Sequence, residues 1–236
     1  MVKSPYWSIV IPTLNEGNYL PNLLESIRKQ DFKDYEIIVA DSYSDDDTVK
    51  IAKKYGCRVL NGVRGNPGIN RNMGARIANG KNIIFFDADV VLPKGFLRTN
   101  TQFFRRHNLD VAGNIGIPLN GTNLDRAIRF VANNGIKILK YVKPSVEGYF
   151  IFVKKKVHDK EEFDESITFA EDSEYVERIY RHGGKFGLLK MPIFVSMRRF
   201  EKKGKIKMSA VYIWLTFRRF FTEMKKKDID YEFGKF

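Results

Sequence analysis

The chain is poor in the residues that build disulfides and zinc sites. Among its 236 residues it has one cysteine, Cys57, and three histidines, which are scattered along the sequence. An intramolecular disulfide and a cysteine-based zinc site are therefore excluded. The longest apolar run, residues 208 to 217, is about half of the ~20 residues that a membrane-spanning helix needs. No secretory-type apolar segment lies near the amino terminus, so we expect a cytoplasmic protein.

Positive charge is abundant and unevenly distributed. The formal net charge is +13, and residues 198 to 236 contain twelve Lys and Arg against five Asp and Glu. A basic surface of this kind is typical of proteins that bind nucleic acid, anionic lipid or a phosphate-bearing small molecule. A basic surface can also serve solubility alone, so the net charge does not distinguish among these functions.

Short apolar runs alternate with segments of helical period through the first half of the chain. The runs end at turn or acidic residues, and the helical segments carry apolar residues three and four positions apart. This βαβαβαβ order predicts an α/β protein with a mostly parallel, Rossmann-like sheet flanked by helices. Strands are predicted at 7–12, 36–40, 58–60 and 83–86, and helices at 19–29, 46–55 and 70–78.

The second half of the chain is less regular. No repeat or low-complexity linker separates it from the first half, so one domain with a C-terminal amphipathic helical extension is the simplest interpretation. Helices are predicted at 93–106, 124–139 and 170–181, the last of them closed by Gly183-Gly184. Strands are predicted at 111–118, 149–153 and within 188–197.

Two carboxylates, Asp87 and Asp89, follow the apolar run that ends at Phe86. At positions i and i+2 of an extended backbone, both side chains point to the same face. Such a pair can hold a hard divalent cation, because Mg2+ and Mn2+ prefer carboxylate oxygen and often bind substrate phosphates as well. It can equally be two solvated acids at the end of a strand.

Polar clusters follow all four predicted parallel strands, whose carboxyl ends meet at one edge of a sheet. We therefore expect a single crevice that suits a nucleotide and a metal ion. Asp41 would accept a hydrogen bond from a base, Arg71 would pair with phosphate, and a turn at Gly65 to Gly68 would approach a diphosphate. Each residue also has a structural alternative as a cap, turn or surface residue. The clusters are residues 12–16, 41–48, 64–72 and 87–89.

Taken in order, these motifs resemble the family 2 glycosyltransferases of the GT-A fold. The resemblance covers roughly residues 6 to 190, and a Gln-x-x-Arg-Trp segment typical of processive synthases is absent. It implies transfer of one sugar, with inversion at the anomeric carbon, from a nucleotide-diphosphosugar such as a UDP- or GDP-sugar. It also implies a GT-A domain at 1–197, with a nucleotide-binding half at 1–92 and an acceptor half at 93–197. The motifs that carry it are Ser8–Glu16, Ile37–Asp41 with Ser44–Thr48, Asn70–Ala75, Phe85–Asp89 and Phe169–Asp172.

The resemblance further implies roles for individual residues. Asp87 and Asp89 match the metal motif, with Ala88 between them, and Asp89 is the more direct ligand of Mn2+ or Mg2+. Asp172 matches the catalytic base, with Glu171 beside it. The positions that match donor-nucleotide contacts are Pro12, Thr13, Asn15, Glu16, Asp41 and Arg71, and Gly68 is expected to contact the donor as part of the glycine turn.

The chemistry of inverting transfer suits this arrangement of acids. One carboxylate must take the proton of the acceptor hydroxyl as its oxygen attacks the anomeric carbon, whereas a metal ion can stabilise the leaving diphosphate. Asp172 suits the role of base, although an acid at a helix start can also serve as a cap. After the second strand the sequence departs from the family's usual pattern. Asp41-Ser42 replaces an acid pair and Tyr43 replaces a frequent glycine, which leaves the nucleotide base open.

A basic loop around Arg198 and Arg199 precedes a segment in which apolar residues recur at helical spacing, from Ala210 to Met224. This pattern predicts an amphipathic helix that lies on anionic lipid, or packs on the catalytic domain or on a second subunit of a homodimer. Lipid contact would place the protein at the inner face of the cell membrane and favour a lipid or polyprenyl phosphate as acceptor. Arg198 or Arg199 could also close over the donor diphosphate.

Two other functions account for part of the pattern. A nucleotidyltransferase could use a similar sheet, but it would need a glycine-rich, lysine-bearing loop after the first strand, where this chain has Pro12–Asn15. A nucleic-acid-binding protein would explain the positive charge but not the acids at the strand ends, which repel phosphate unless they hold metal. A metal-assisted glycosyltransferase without a nucleic-acid partner is the favoured prediction.

Overall fold

The computed structural model of the chain describes residues 4–140, 143–144, 146, 148–167, 170–198 and 204. The strands in those residues are β1 (Trp7–Thr13), β2 (Tyr35–Asp41), β3 (Arg58–Asn61), β4 (Asn82–Phe86), β5 (Val90–Val91), β6 (Val111–Gly113), β7 (Gly116–Pro118), β8 (Phe150–Lys154), β9 (Phe186–Leu188) and β10 (Ile193–Val195). The helices are α1 (Leu20–Arg28), α2 (Thr48–Lys54), α3 (Pro67–Arg76), α4 (Phe96–Arg106), α5 (Asn123–Leu139), α6 (Lys155–His158) and α7 (Glu171–Arg181).

The main sheet of the described structure has the strand order β3-β2-β1-β4-β8-β6-β9. Strands β1 to β4 pair in parallel, and β6 pairs in parallel with β9. Strand β8 runs antiparallel to both of its neighbours, β4 and β6. The predicted fold class, a mostly parallel α/β sheet flanked by helices, is confirmed, with one reversed strand near its centre.

The central strands β1 and β4 are buried along their whole length. Alternate residues of each strand point to opposite faces, and the core is accordingly split in two. Ile9 and Ile84 face a larger cluster under α1 and α4, whereas Val10 and Phe85 face a smaller cluster under α3 and α7. Strands covered on both faces read as continuous apolar runs, which is why the sequence reveals them.

A second, smaller sheet in the order β5-β10-β7 lies beside the first. The prediction of one strand over 111–118 is wrong, because β6 belongs to the main sheet and β7 to the small one. The break falls at Asn114, whose side chain accepts a hydrogen bond from the backbone N–H of Ile115 at 2.8 Å and so turns the chain locally. Strand β10 pairs with β5, which begins at the residue after Asp89. The N–H of Ser196 donates a hydrogen bond to the Asp89 carbonyl at 3.2 Å.

Helix α3 begins three residues before its predicted start at Asn70. Its cap is Asn66, whose side-chain oxygen accepts from the N–H groups of Gly68 and Ile69 at 2.8 and 3.4 Å, with Pro67 at the first helical position. Both features are typical of helix starts. The predicted end of α7 is confirmed: the helix ends at Arg181, and Gly183, with φ +86°, follows the C-cap residue His182.

None of the helices in the described part of the chain is long and apolar enough to cross a membrane. The predicted amphipathic helix between Ala210 and Met224, and Arg199 of the basic loop, lie outside the described residues. The extension therefore stays a prediction.

Two glycines should respond to alanine in opposite ways. A Cβ at Gly74 of α3 would lie 2.4 Å from the Val10 Cγ1 of β1, whereas a Cβ at Gly135 of α5 would meet nothing within 4 Å. Gly74→Ala should lower the free energy of unfolding by about 1–3 kcal/mol through overpacking. Gly135→Ala should raise it by up to about 1 kcal/mol through helix propensity. Urea midpoints of both variants check this, and equal stabilisation by both would refute close packing of α3 on β1.

Candidate active site

The loops that follow β1 and β2 are tied together at the carboxyl edge of the sheet. The Asp41 carboxylate accepts hydrogen bonds from the Thr13 hydroxyl at 2.9 Å and from the N–H and hydroxyl of Ser44 at 2.9 and 2.6 Å. Asn15 donates its N–H to the Ser44 hydroxyl, and its side-chain oxygen accepts from the N–H of Asp45, both at 2.8 Å. These contacts fix both loops side by side.

Asp41 is buried, and its two oxygens already accept three hydrogen bonds within the protein. Its evident role in the structure is to shape the loop, and its contact with a nucleotide base stays a prediction. Tyr43, two residues on, has φ +59°. That left-handed conformation favours glycine, so Tyr43 has a backbone conformation that is uncommon for its residue type.

Glu16 lies in the loop between β1 and α1 and contacts Arg198, near the end of the described chain. Its N–H donates to the Thr48 hydroxyl at 2.9 Å, and its carboxylate accepts two hydrogen bonds from the Arg198 guanidinium, at 2.7 and 2.9 Å. Burial raises the pKa of Glu16 to about 7 against the lowering effect of Arg198, and the charges of Asp89 and Asp87 raise it further. The carboxyl groups of Glu16, Asp87 and Asp89 therefore interact electrostatically.

Arg198 arrives at the site from the far end of the described chain. Besides its bond to Glu16, its Nε lies 2.9 Å from Asp89 Oδ2, and its guanidinium carbon lies 4.2 Å from the centre of the Tyr19 ring. Burial lowers the pKa of Arg198, but the Glu16 hydrogen bond and the Asp89 charge outweigh it and raise the pKa above its ordinary value. The side chain is thus a firmly charged group next to Asp89 of the predicted metal motif.

Arg71 projects from α3 into the interior and joins Asp87, of the predicted metal motif, to α7. Its guanidinium donates to Asp87 Oδ1 at 2.8 Å and to Glu171 Oε1 at 2.6 Å, and its Nε is buried without a hydrogen-bond partner. Burial lowers its pKa, but the charges of Asp87 and Glu171 outweigh this and raise it. Sequence reasoning predicted a phosphate contact for Arg71; the structure gives it two internal carboxylates, and the phosphate contact stays a prediction.

Asp172 lies in the first turn of α7, which follows Ala170 at φ +54°. A left-handed conformation is uncommon for alanine and tends to persist where surrounding structure enforces it. The Asp172 carboxylate is nearly buried and packs against Gly148, where a Cβ would lie 2.9 Å from Asp172 Oδ2. Its negative charge also reaches Arg71. Glu171, the residue before Asp172, binds Arg71 directly through a hydrogen bond.

The acids at this edge suit a divalent-cation site in which a substrate supplies the remaining metal ligands. Among the described residues, no group of three or more His, Cys, Asp or Glu side chains forms a full metal site. Asp87 and Asp89 nevertheless offer carboxylate oxygens, and Mg2+ commonly uses one or two carboxylates plus substrate phosphates. Negative groups exceed positive ones here, because Arg71 and Arg198 face five acids. Those acids are Glu16, Asp87, Asp89, Glu171 and Asp172.

The structure brings most of the sequence-predicted residues to this one edge, some of them by their backbone alone. Pro12 is buried in β1, Gly68 is buried in the first turn of α3, and Ala88 is buried between Asp87 and Asp89. Sequence reasoning did not identify Tyr19 under Arg198 or Gly148 against Asp172. Gly148, which directly precedes a predicted strand, offered a signal, because a glycine there permits close approach. Tyr19 offered none.

Comparisons with known proteins place the chain in a family and a fold. The sequence model described as Glycosyl transferase family 2 matches residues 8–170. The poly(ribitol-phosphate) beta-N-acetylglucosaminyltransferase TarS of Staphylococcus aureus is 34% identical over 113 residues, which are 44% of this chain and 20% of TarS. The GalNAc(5)-diNAcBac-PP-undecaprenol beta-1,3-glucosyltransferase of Campylobacter jejuni is 28% identical over 203 residues, which are 75% of this chain and 64% of that protein.

Solved structures share the fold. The crystal structure of S. aureus TarS 1-349 in complex with UDP has a TM-score of 0.65 and 24% identity, and covers 80% of this chain and 60% of its own. The mannosyltransferase PcManGT of Pyrobaculum calidifontis, in complex with GDP-Man and Mn2+, has a TM-score of 0.66 and 19% identity, with coverages of 83% and 57%. These likenesses show the GT-A fold. The chain spans less than two thirds of the length of each of these relatives. Because the family match extends over most of the chain, the chain belongs to glycosyl transferase family 2.

Proposed function

We propose that the chain transfers one sugar, with inversion, from a UDP- or GDP-sugar to a hydroxyl or phosphate of an acceptor. One observation carries the proposal: the metal motif after β4 and the acids at the start of α7 are joined through Arg71, by hydrogen bonds of 2.8 and 2.6 Å. A donor diphosphate at Asp87 and Asp89 would therefore lie beside Asp172. This juxtaposition suits attack of an acceptor on the anomeric carbon.

The nucleotide would lie on the paired loops that follow β1 and β2. Contacts within the protein hold Asn15 and Asp41 in place, which reduces the ordering cost of binding. Relatives that bind UDP and GDP-Man have the same fold, and this supports a nucleotide-diphosphosugar donor. A divalent ion, Mn2+ or Mg2+, held by Asp89 with Asp87 would stabilise the charge that develops on the departing diphosphate.

Asp172 would act as the general base. As the acceptor oxygen forms its bond to the anomeric carbon, the hydroxyl proton passes to the Asp172 carboxylate, and the bond from that carbon to the diphosphate breaks. Glu171, beside Asp172, accepts a 2.6 Å hydrogen bond from Arg71, which suits a residue that positions the guanidinium. The nearly buried position of Asp172 limits its hydration, which strengthens its interaction with the approaching acceptor.

Substitution of the two key acids should separate chemistry from metal binding. Asp172→Asn should lower kcat by about 10²–10⁴-fold, the range attributed to general-base catalysis, while Mn2+-dependent nucleotide binding stays unchanged. Asp89→Ala should abolish transfer and also weaken that binding. Steady-state kinetics and calorimetric titration measure both, with the surface variant Asp159→Asn, whose acid pairs with Lys155, as control. Unchanged turnover in Asp172→Asn would rule out its role as base.

Donor specificity can be measured without knowledge of the acceptor. Incubation with UDP-, GDP- and dTDP-sugars should give slow hydrolysis that requires Mn2+ or Mg2+, with a preference for UDP- or GDP-sugars. EDTA should stop the reaction, because the departing diphosphate loses its counter-charge. Coupled detection of the released nucleoside diphosphate measures the rate. Equal rates with and without metal would contradict metal assistance.

The acceptor is proposed to be a phosphate-bearing glycan or lipid at an anionic membrane surface. The acceptors in the names of the two relatives, poly(ribitol-phosphate) and GalNAc(5)-diNAcBac-PP-undecaprenol, both carry phosphate. Within the described structure, α5 exposes large apolar side chains next to exposed cations, a combination that suits an anionic lipid surface. The apolar residues are Leu124, Phe130, Val131 and Ile138, and the cations are Arg126 and Lys137.

Removal of the basic C-terminal segment should weaken membrane contact. A chain truncated after Lys205 should sediment less with vesicles that contain phosphatidylglycerol, because it loses cations and an apolar helical pattern. Phe130→Ser should give a smaller loss by removing apolar area from α5. Neutral phosphatidylcholine vesicles and Tyr180→Ser, which alters another exposed aromatic residue, are the controls. Undiminished sedimentation of the truncated chain would favour packing of this segment on protein.

A further inference from the structure

Arg198 holds the position where a cation is needed, next to the metal motif. Its two terminal nitrogens donate to Glu16 at 2.7 and 2.9 Å, and its Nε lies 2.9 Å from Asp89 Oδ2. The Tyr19 ring covers the guanidinium, and only 12% of the side chain is exposed. A cationic group is therefore already built into the acidic cluster.

The two carboxylates bind Arg198 in different ways. Glu16 accepts two hydrogen bonds, whereas the Nε contact with Asp89 lacks hydrogen-bond geometry, since that nitrogen has no hydrogen-bond partner. Bidentate pairs of Arg with carboxylate are the stronger kind. Glu16 is thus the anchor that keeps Arg198 in the site, and the contact with Asp89 is an electrostatic one that can be exchanged.

We propose that Arg198 is a tethered cation that competes with the divalent metal for Asp89, so that metal and nucleotide diphosphate bind cooperatively. The proposal rests on the proposed function, which assigns Asp89 to the metal. A divalent ion on Asp89 would stand next to the guanidinium, where like charges repel strongly in a buried setting. A nucleotide diphosphate removes this conflict, because its negative charge accommodates both cations.

Backbone contacts hold Arg198 close to Asp89. Strand β10 pairs with β5, which follows Asp89 directly, and the N–H of Ser196 donates to the Asp89 carbonyl at 3.2 Å. The N–H of Arg198 in turn donates to the Ser196 hydroxyl at 3.2 Å. The backbone thus holds Arg198 beside Asp89, and only its side chain needs to move when metal and diphosphate arrive.

Mn2+ titration with and without UDP or GDP tests the competition. In Arg198→Ala, Mn2+ alone should bind about tenfold more tightly than in the unaltered protein, because its competitor is gone. The nucleotide should bind more weakly in the presence of Mn2+, because a positive charge is lost. The coupling between the ligands should fall accordingly, since it is reciprocal and typically 5–150-fold. Electron paramagnetic resonance measures free Mn2+, and calorimetry measures the nucleotide.

Matched variants distinguish this competition from structural damage and from a general effect of charge. Arg98→Ala removes an equal charge from an exposed ion pair with Asp31 and should change neither affinity, whereas Arg198→Lys should restore part of the competition. Structural damage would weaken both ligands, so the opposite signs are diagnostic. If Arg198→Ala binds Mn2+ no more tightly than Arg98→Ala, the competition is refuted. If Asp89→Ala binds Mn2+ as tightly as the unaltered protein, the metal assignment within the proposed function fails instead.

Discussion

The guanidinium of Arg71 lies buried between the carboxylates of Asp87 and Glu171, which come from distant parts of the chain. Removing such charges from water costs several kcal/mol per ion, and a lost partner leaves an uncompensated buried charge. Helix α3, the end of β4 and the start of α7 must therefore be in place together. The metal motif and the candidate base share one support, and the proposed chemistry depends on it.

Other contacts also hold α3 in its position at the site. Asn72 exchanges two hydrogen bonds of 3.0 Å with the backbone of Phe163, and Asn66 donates to the Glu165 carbonyl at 2.7 Å. Gly74 lets the helix approach Val10 of the central strand. This helix is thus fixed both to the sheet and to the segment that leads toward α7. Its polar residues belong to the architecture of the site, even where they touch no ligand.

Sequence patterns predicted the parallel half of the sheet well, because β1 and β4 are buried on both faces and read as unbroken apolar runs. They failed where short elements depend on partners. The pair Val90-Val91 forms a strand only because β10 lies beside it. Residues 111–118 divide between two sheets at Asn114 for a similar reason. Periodicity cannot reveal such pairings, since a strand of two or three residues is decided by its neighbours.

The fold class, the acids after the buried strands and the family could all be predicted from the sequence, because they depend on local patterns and on motif order. The partners of those acids are visible only in the three-dimensional structure. It assigned Asp41 to loop shape, Glu171 to Arg71, and Glu16 to Arg198, a residue that lies 182 positions away in the chain. The physical reason is that a charge and its partner are joined by burial and distance, and neither quantity can be read from spacing along the chain.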